Sequence, residues 1–172
     1  GKPAHNGKAT PLHQDGEYWA VRPLATCSVW IAIDDSTIEN GCLQVIPGSH
    51  RNRALARHQY NPSDSLTLHE ELVETEFDST TATNIILERG QISLHDVYLM
   101  HGSQPNLTDK NRRGMTMRMM PTTSHYDRTV AAEQDKARSV RYGTKIKFSE
   151  NPVLLMRGTD RCGKNEFHDR VT

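Results

Sequence analysis

Apolar residues in this chain fall in short runs with a period of two, and turn residues separate the runs. That pattern predicts strands rather than helices. Residues 12–18 read as a short strand in which Gly16 permits a bend. Residues 27–33 (CSVWIAI) are β-branched and aromatic and read as a buried strand. Asn40-Gly41 predicts a two-residue hairpin turn, with residues 42–46 returning beside the strand before it. Further strands are expected over 84–87, 91–100 and 114–120. In the last of these, Met115, Met117 and Met119 share one face, expected to be core, while Thr116, Arg118 and Met120 share the other. Residues 51–83 are polar and read as a long excursion from the sheet, with a helix around 66–76. A charged helix is expected over 129–142. Short strands with proline and glycine turns, and no alternation of strand and helix, predict a mainly β fold: a sandwich or jelly roll with long loops and a few short helices.

Length and composition narrow the picture. The 172 residues suit one domain able to bury a core without disulfides. Equal numbers of acidic and basic residues give no basic excess, so no nucleic-acid partner is expected. No apolar run approaches the roughly 20 residues needed to span a bilayer, so no membrane partner is expected either. Cys27, Cys42 and Cys162 are odd in number and lack metal-binding spacing. Cys27 and Cys42 lie in apolar runs and read as buried thiols, which points to a reducing, cytoplasmic setting and, in the absence of other signals, to a monomer.

The chemistry lies in a few polar residues. His13 and Asp15 are two apart, so on an extended strand both side chains meet one face. A third ligand must come from elsewhere, and His101 is the best candidate. Two imidazoles and one carboxylate make the facial triad of non-haem Fe(II) oxygenases. Arg112, eleven residues on, can hold the far carboxylate of a 2-oxo acid through its planar fork. Arg113 and Arg118 are the competing cations, and Arg118 can instead line a substrate pocket. His95 competes with His101 or supports it from behind. Gln14 and Tyr18 are near enough in sequence to reach substrate.

Taken in order, His13-Gln14-Asp15, Arg22-Pro23, Trp30-Ile31-Ala32-Ile33-Asp34, Asn40-Gly41-Cys42-Leu43, Pro47-Gly48-Ser49-His50, His101-Gly102-Ser103 and Arg112 resemble the phytanoyl-CoA dioxygenase family. The resemblance runs from about residue 12 to 123 and continues weakly into 155–160. It implies a double-stranded β-helix, a cupin-like jelly roll. It implies Fe(II), with 2-oxoglutarate and O2 as cosubstrates, and hydroxylation of a small molecule with release of succinate and CO2. His13, Asp15 and His101 match the iron ligands. Arg112 matches the partner of the distal carboxylate of 2-oxoglutarate, Ser103 a position that helps hold it, and Trp30 a position near the cosubstrate, although packing in the core is the commoner fate of a strand tryptophan. Because Asp15 is present, hydroxylation is expected over halogenation, which in some relatives uses the place a missing carboxylate leaves.

Members of the family carry a longer N-terminal portion, and residues 1–172 are expected to be one dioxygenase-like domain without it. Two other readings stay open from the sequence: a metal-binding cupin of a different reaction class, and an incomplete domain that binds without turning over.

Overall fold

The structure is a computed structural model, and it describes residues 1–143 and 145–168. Among these are eleven strands and one α-helix. The strands are β1 (Thr10–His13), β2 (Val21–Arg22), β3 (Cys27–Ala32), β4 (Leu43–Val45), β5 (His58–Tyr60) and β6 (Glu70–Leu72). There follow β7 (Thr83–Ile85), β8 (Ile92–Asp96), β9 (His101–Ser103), β10 (Gly114–Met119) and β11 (His125–Tyr126), with the helix α1 at Arg128–Tyr142.

Two compact units divide the chain. The first, residues 1–17 and 27–119, holds two antiparallel sheets of order β1-β9-β4-β7 and β10-β3-β8. All their pairings are antiparallel and join strands distant in sequence, the mark of the jelly roll expected from the strand pattern. A small apolar core of Ile46, Leu72 and Met100 packs with Leu12 and Phe77. The second unit, residues 18–26 and 120–168, holds β2 paired with β11, and α1. Its helix begins where expected: the Asp127 carboxylate accepts from the backbone N–H of Thr129 and Val130, and Gly143 ends the helix with φ of 64°.

Several expectations are corrected. Asn40-Gly41 does not join a hairpin, because β3 and β4 lie in different sheets. Only Gly41 takes a positive φ, of 78°, and a side chain there would also strike the Gln104 carbonyl. The helix expected around 66–76 is a strand, β6, paired with β5 and followed by a single 3-10 turn at Glu74–Glu76. The strand expected through Asp15 stops at His13, and a 3-10 turn takes Asp15–Glu17. Cys27 is exposed rather than buried. The methionine face of β10 is also outward: Met115 is 48% exposed, with Ile92 and Leu94 beside it across β3. Alternation separates two faces of a strand but does not say which one is lined by the site.

Gln14, near enough in sequence to reach substrate, is part of the buried structure instead. Its amide N–H groups donate to the Ala54 and Tyr98 carbonyls at 3.0 and 2.7 Å, and its Oε1 accepts from the Ala56 N–H at 2.8 Å. It is wholly buried and ties the turn beside β1 to residues 54–58. Gln14→Leu removes the partner of three partly buried backbone groups. Each such group costs about 1–3 kcal/mol. We expect a loss of roughly 3 kcal/mol or more, read as a lowered urea midpoint; a change below about 1 kcal/mol contradicts this role.

Candidate metal and cosubstrate site

The site lies where one row of residues from each large sheet converges. In the four-stranded sheet His13 pairs with His101 across β1 and β9. In the three-stranded sheet Arg118, Ser28 and His95 stand opposite one another across β10, β3 and β8. Asp15, at the start of its 3-10 turn, sits between the two rows.

His13, Asp15 and His101 are all buried, and each offers one ligand atom within 4.8 Å of the others, so the three can hold a metal ion. Both histidines present the same nitrogen. The Nδ1–H of His13 donates to the Pro11 carbonyl at 2.9 Å, and that of His101 to the Leu99 carbonyl at 2.8 Å. This assigns the tautomer and presents Nε2 of each ring as the donor atom on the side of Asp15. The two Nε2 atoms lie 3.8 and 3.9 Å from Asp15 Oδ1.

Electrostatics prepare the same state. Burial pushes His101 down to about 3, and the neighbouring His13 pushes the same way, so its imidazole is neutral near pH 7. Burial alone would raise Asp15. The His13 and His95 rings, with His101 and Arg118, outweigh it and hold the carboxyl well below the usual range. An ionised carboxylate and neutral imidazoles are the donor forms a divalent cation needs.

Arg112 is buried as well, and among the described residues no ion pair engages it. One Nη2 donates to the Gly41 carbonyl at 2.9 Å, while the buried Nε has no partner. Its guanidinium lies over the Trp30 ring at 5.4 Å. Gly114 makes room for that ring, since a Cβ there would fall 2.2 Å from it. Trp30 and Ser28 are two apart on β3 and share a face, which spaces them by about 7 Å. Ser28 reaches Asp15 and Trp30 carries Arg112. An ion at the triad and a carboxylate at Arg112 would therefore be neighbours along one strand.

The competing candidates sort by direction. Arg113 points outward and grips Asp34 through two 2.8 Å bonds. Arg118 approaches Asp15 Oδ1 at 3.7 Å rather than standing with Arg112. His95 lies with its ring centre 4.5 Å from that of His101 and is not one of the three clustered ligands. Ser103 is buried in β9, two residues past His101 and on its side of the strand.

Two contributors escaped the sequence reading. Residues 1–10 read as an irregular lead-in, yet Lys2 pairs with Arg112 through backbone bonds of 2.8 and 2.9 Å, and Asn106, wholly buried, donates to the Lys2 carbonyl. Nothing local signals a pairing over such a separation. Ser28 was legible in part, as the single hydroxyl inside an apolar strand.

A jelly roll with two imidazoles and a carboxylate gathered between its sheets defines a metal-binding cupin-like protein. Residues 1–114 match the family model of phytanoyl-CoA dioxygenase (PhyH), and the chain belongs to that family. A phytanoyl-CoA dioxygenase domain-containing protein 1 homolog of Dictyostelium discoideum is 34% identical over 113 residues, covering 64% of this chain and 40% of that protein. The crystal structure of EvdO2 from Micromonospora carbonacea var. aurantiaca complexed with 2-oxoglutarate is 32% identical. It aligns with a TM-score of 0.58 over 68% of this chain and 47% of that one. A nickel complex of the non-heme monooxygenase ThoJ is 25% identical, with a TM-score of 0.65 over 98% of this chain and 52% of that one. The chain spans about two fifths to a half of the length of the curated relatives it matches. Among the described residues, no helix is long and apolar enough to cross a membrane.

Proposed function

We propose that this chain carries the iron and cosubstrate centre of a 2-oxoglutarate-dependent dioxygenase that hydroxylates a C–H bond of a small molecule, and that residues 1–172 belong to one such domain. The observation that carries the proposal is Arg112: a buried cation with no acidic partner among the described residues, stacked on Trp30, two residues along β3 from the Ser28 that bonds Asp15 of the buried His–Asp–His cluster. A buried unpaired charge is destabilising unless a ligand supplies its counter-charge. A small dianion that chelates a metal at one end and presents a carboxylate at the other meets both needs. The family membership and the 2-oxoglutarate found in EvdO2 support the same identification.

In this reading His13, Asp15 and His101 hold Fe(II) through Nε2, one carboxylate oxygen and Nε2. Arg112 pairs with the distal carboxylate of 2-oxoglutarate, and Ser103 assists it. Trp30 holds the guanidinium flat and shields it from water. When bound, Fe(II) with 2-oxoglutarate and O2 supplies the oxidation, yielding succinate, CO2 and a hydroxylated product. The protein's part is geometric. Two backbone carbonyls fix the imidazole rings, and burial keeps that of His101 neutral and ready to coordinate. The cytoplasmic setting expected from the cysteines belongs to the same proposal. Anaerobic protein given Fe(II), 2-oxoglutarate and then O2 is expected to release succinate in proportion to the 2-oxoglutarate consumed, even without a substrate, at a slow uncoupled rate. Absence of succinate with iron bound contradicts it.

A further inference from the structure

The three clustered ligands are not positioned in the same way. His13 and His101 are oriented by backbone carbonyls. Asp15 is oriented by side chains from the opposite sheet. Its two oxygens have separate company: Oδ1 faces the Nε2 atoms of His13 and His101. Oδ2 points the other way and accepts the Ser28 hydroxyl at 2.7 Å, a short bond to a charged acceptor. His95 Nε2 lies 3.6 Å from the same oxygen, a longer approach. Ser28 and His95 are cross-strand partners on β3 and β8, so a single register places both beneath Asp15. Ser28 is wholly buried, and His95 and Asp15 are nearly so.

We infer that Ser28 and His95 are positioning residues that occupy the outer oxygen of Asp15 and so confine it to one-oxygen coordination of the metal. The inference rests on the metal-site reading above. Its chemical consequence is a count of coordination places. His13, Asp15 and His101 would hold the ion through three protein atoms, leaving its other positions open to cosubstrates. A carboxylate free to swing and bind through both oxygens takes one of those places. Ser28 presents the stronger restraint, because its bond is short and its strand is paired on both sides. His95 adds a second, longer contact to the same oxygen.

The test uses the full chain loaded with Zn(II) and, separately, titrated anaerobically with Fe(II). With carbon-13-labelled aspartate, the infrared difference between loaded and metal-free protein reads the separation of the antisymmetric and symmetric carboxylate stretches. That separation is wide for one-oxygen and narrow for two-oxygen coordination. The unchanged chain is expected to show the wide pattern. Ser28→Ala is expected to narrow it and to weaken Fe(II) binding by about tenfold or more, and His95→Gln to move both in the same direction by less. A purely structural role would lower the melting temperature and leave the infrared pattern wide. An unchanged pattern and Fe(II) affinity in both variants overturns the inference and leaves the metal site standing. Failure of the unchanged chain to take up metal overturns both.

Discussion

Asp15→Ala is expected to abolish Fe(II) uptake at concentrations that saturate the unchanged chain. The carboxylate is the only anion among the three clustered ligands. It is the group on which the His13 and His101 rings, Arg118 and the Ser28 hydroxyl converge. Removing it leaves two imidazoles and the nearby Arg118 cation, with no anion to attract a divalent ion. Disturbing a residue that merely supports a ligand costs about 10–100-fold in metal affinity, so loss of the ligand itself should exceed roughly 100-fold. Succinate release should fall to background with it. Equilibrium dialysis followed by metal analysis checks the result. Retention of stoichiometric, tightly held iron by the variant would place the metal elsewhere and refute the assignment.

Arg112→Ala acts on the other end of the cosubstrate and should leave the metal in place. The guanidinium is buried, and its pairing with a carboxylate would be shielded from water. Truncating one member of a buried, hydrogen-bonded charge pair costs about 2–5 kcal/mol, a factor of roughly 30 to several thousand in affinity. The dissociation constant for 2-oxoglutarate should rise by that much, while Fe(II) affinity changes little. Arg112→Lys should recover only part of the loss, because an ammonium restores the charge without the planar fork. Stability should move little in either variant. The variant gives up the bond to the Gly41 carbonyl and the stacking on Trp30, and in return no longer desolvates an unpaired cation. Severe unfolding of Arg112→Ala would indicate a structural ion site instead.

How much of this was visible in the chain depends on the reach of each interaction. Period-two runs located β3, β8 and β10 within a residue or a few, because a strand's own side chains record its two faces. The charged stretch 129–142 located α1, and the Asp127 cap and Gly143 that bound it are local signals of the same kind. The direction of the faces was not recorded: in β10 the methionines point outward, while Arg118 turns toward Asp15. The Asn40-Gly41 pair misled because a turn-forming dipeptide cannot specify that its flanking strands enter different sheets. His13, Asp15 and His101 were legible as a set because motif spacing survives over the length of a fold. The pairing of Lys2 with Arg112 and the bond from Ser28 to Asp15 depend on register between distant strands, which no short stretch encodes. Arg112 and Arg113 differ only in which way a backbone turn points them, and Asp34 draws the second one outward.

The most direct test of the central claim is the visible absorption of the metal-free chain after anaerobic addition of Fe(II) and 2-oxoglutarate. Chelation of a 2-oxo acid by Fe(II) gives a metal-to-ligand charge-transfer band that neither component shows alone. This band is expected in the unchanged chain, is expected to be lost in Asp15→Ala, and is expected in Arg112→Ala only at much higher 2-oxoglutarate. No band from the unchanged chain, with iron bound and 2-oxoglutarate in excess, would contradict the claim that these residues form a cosubstrate site.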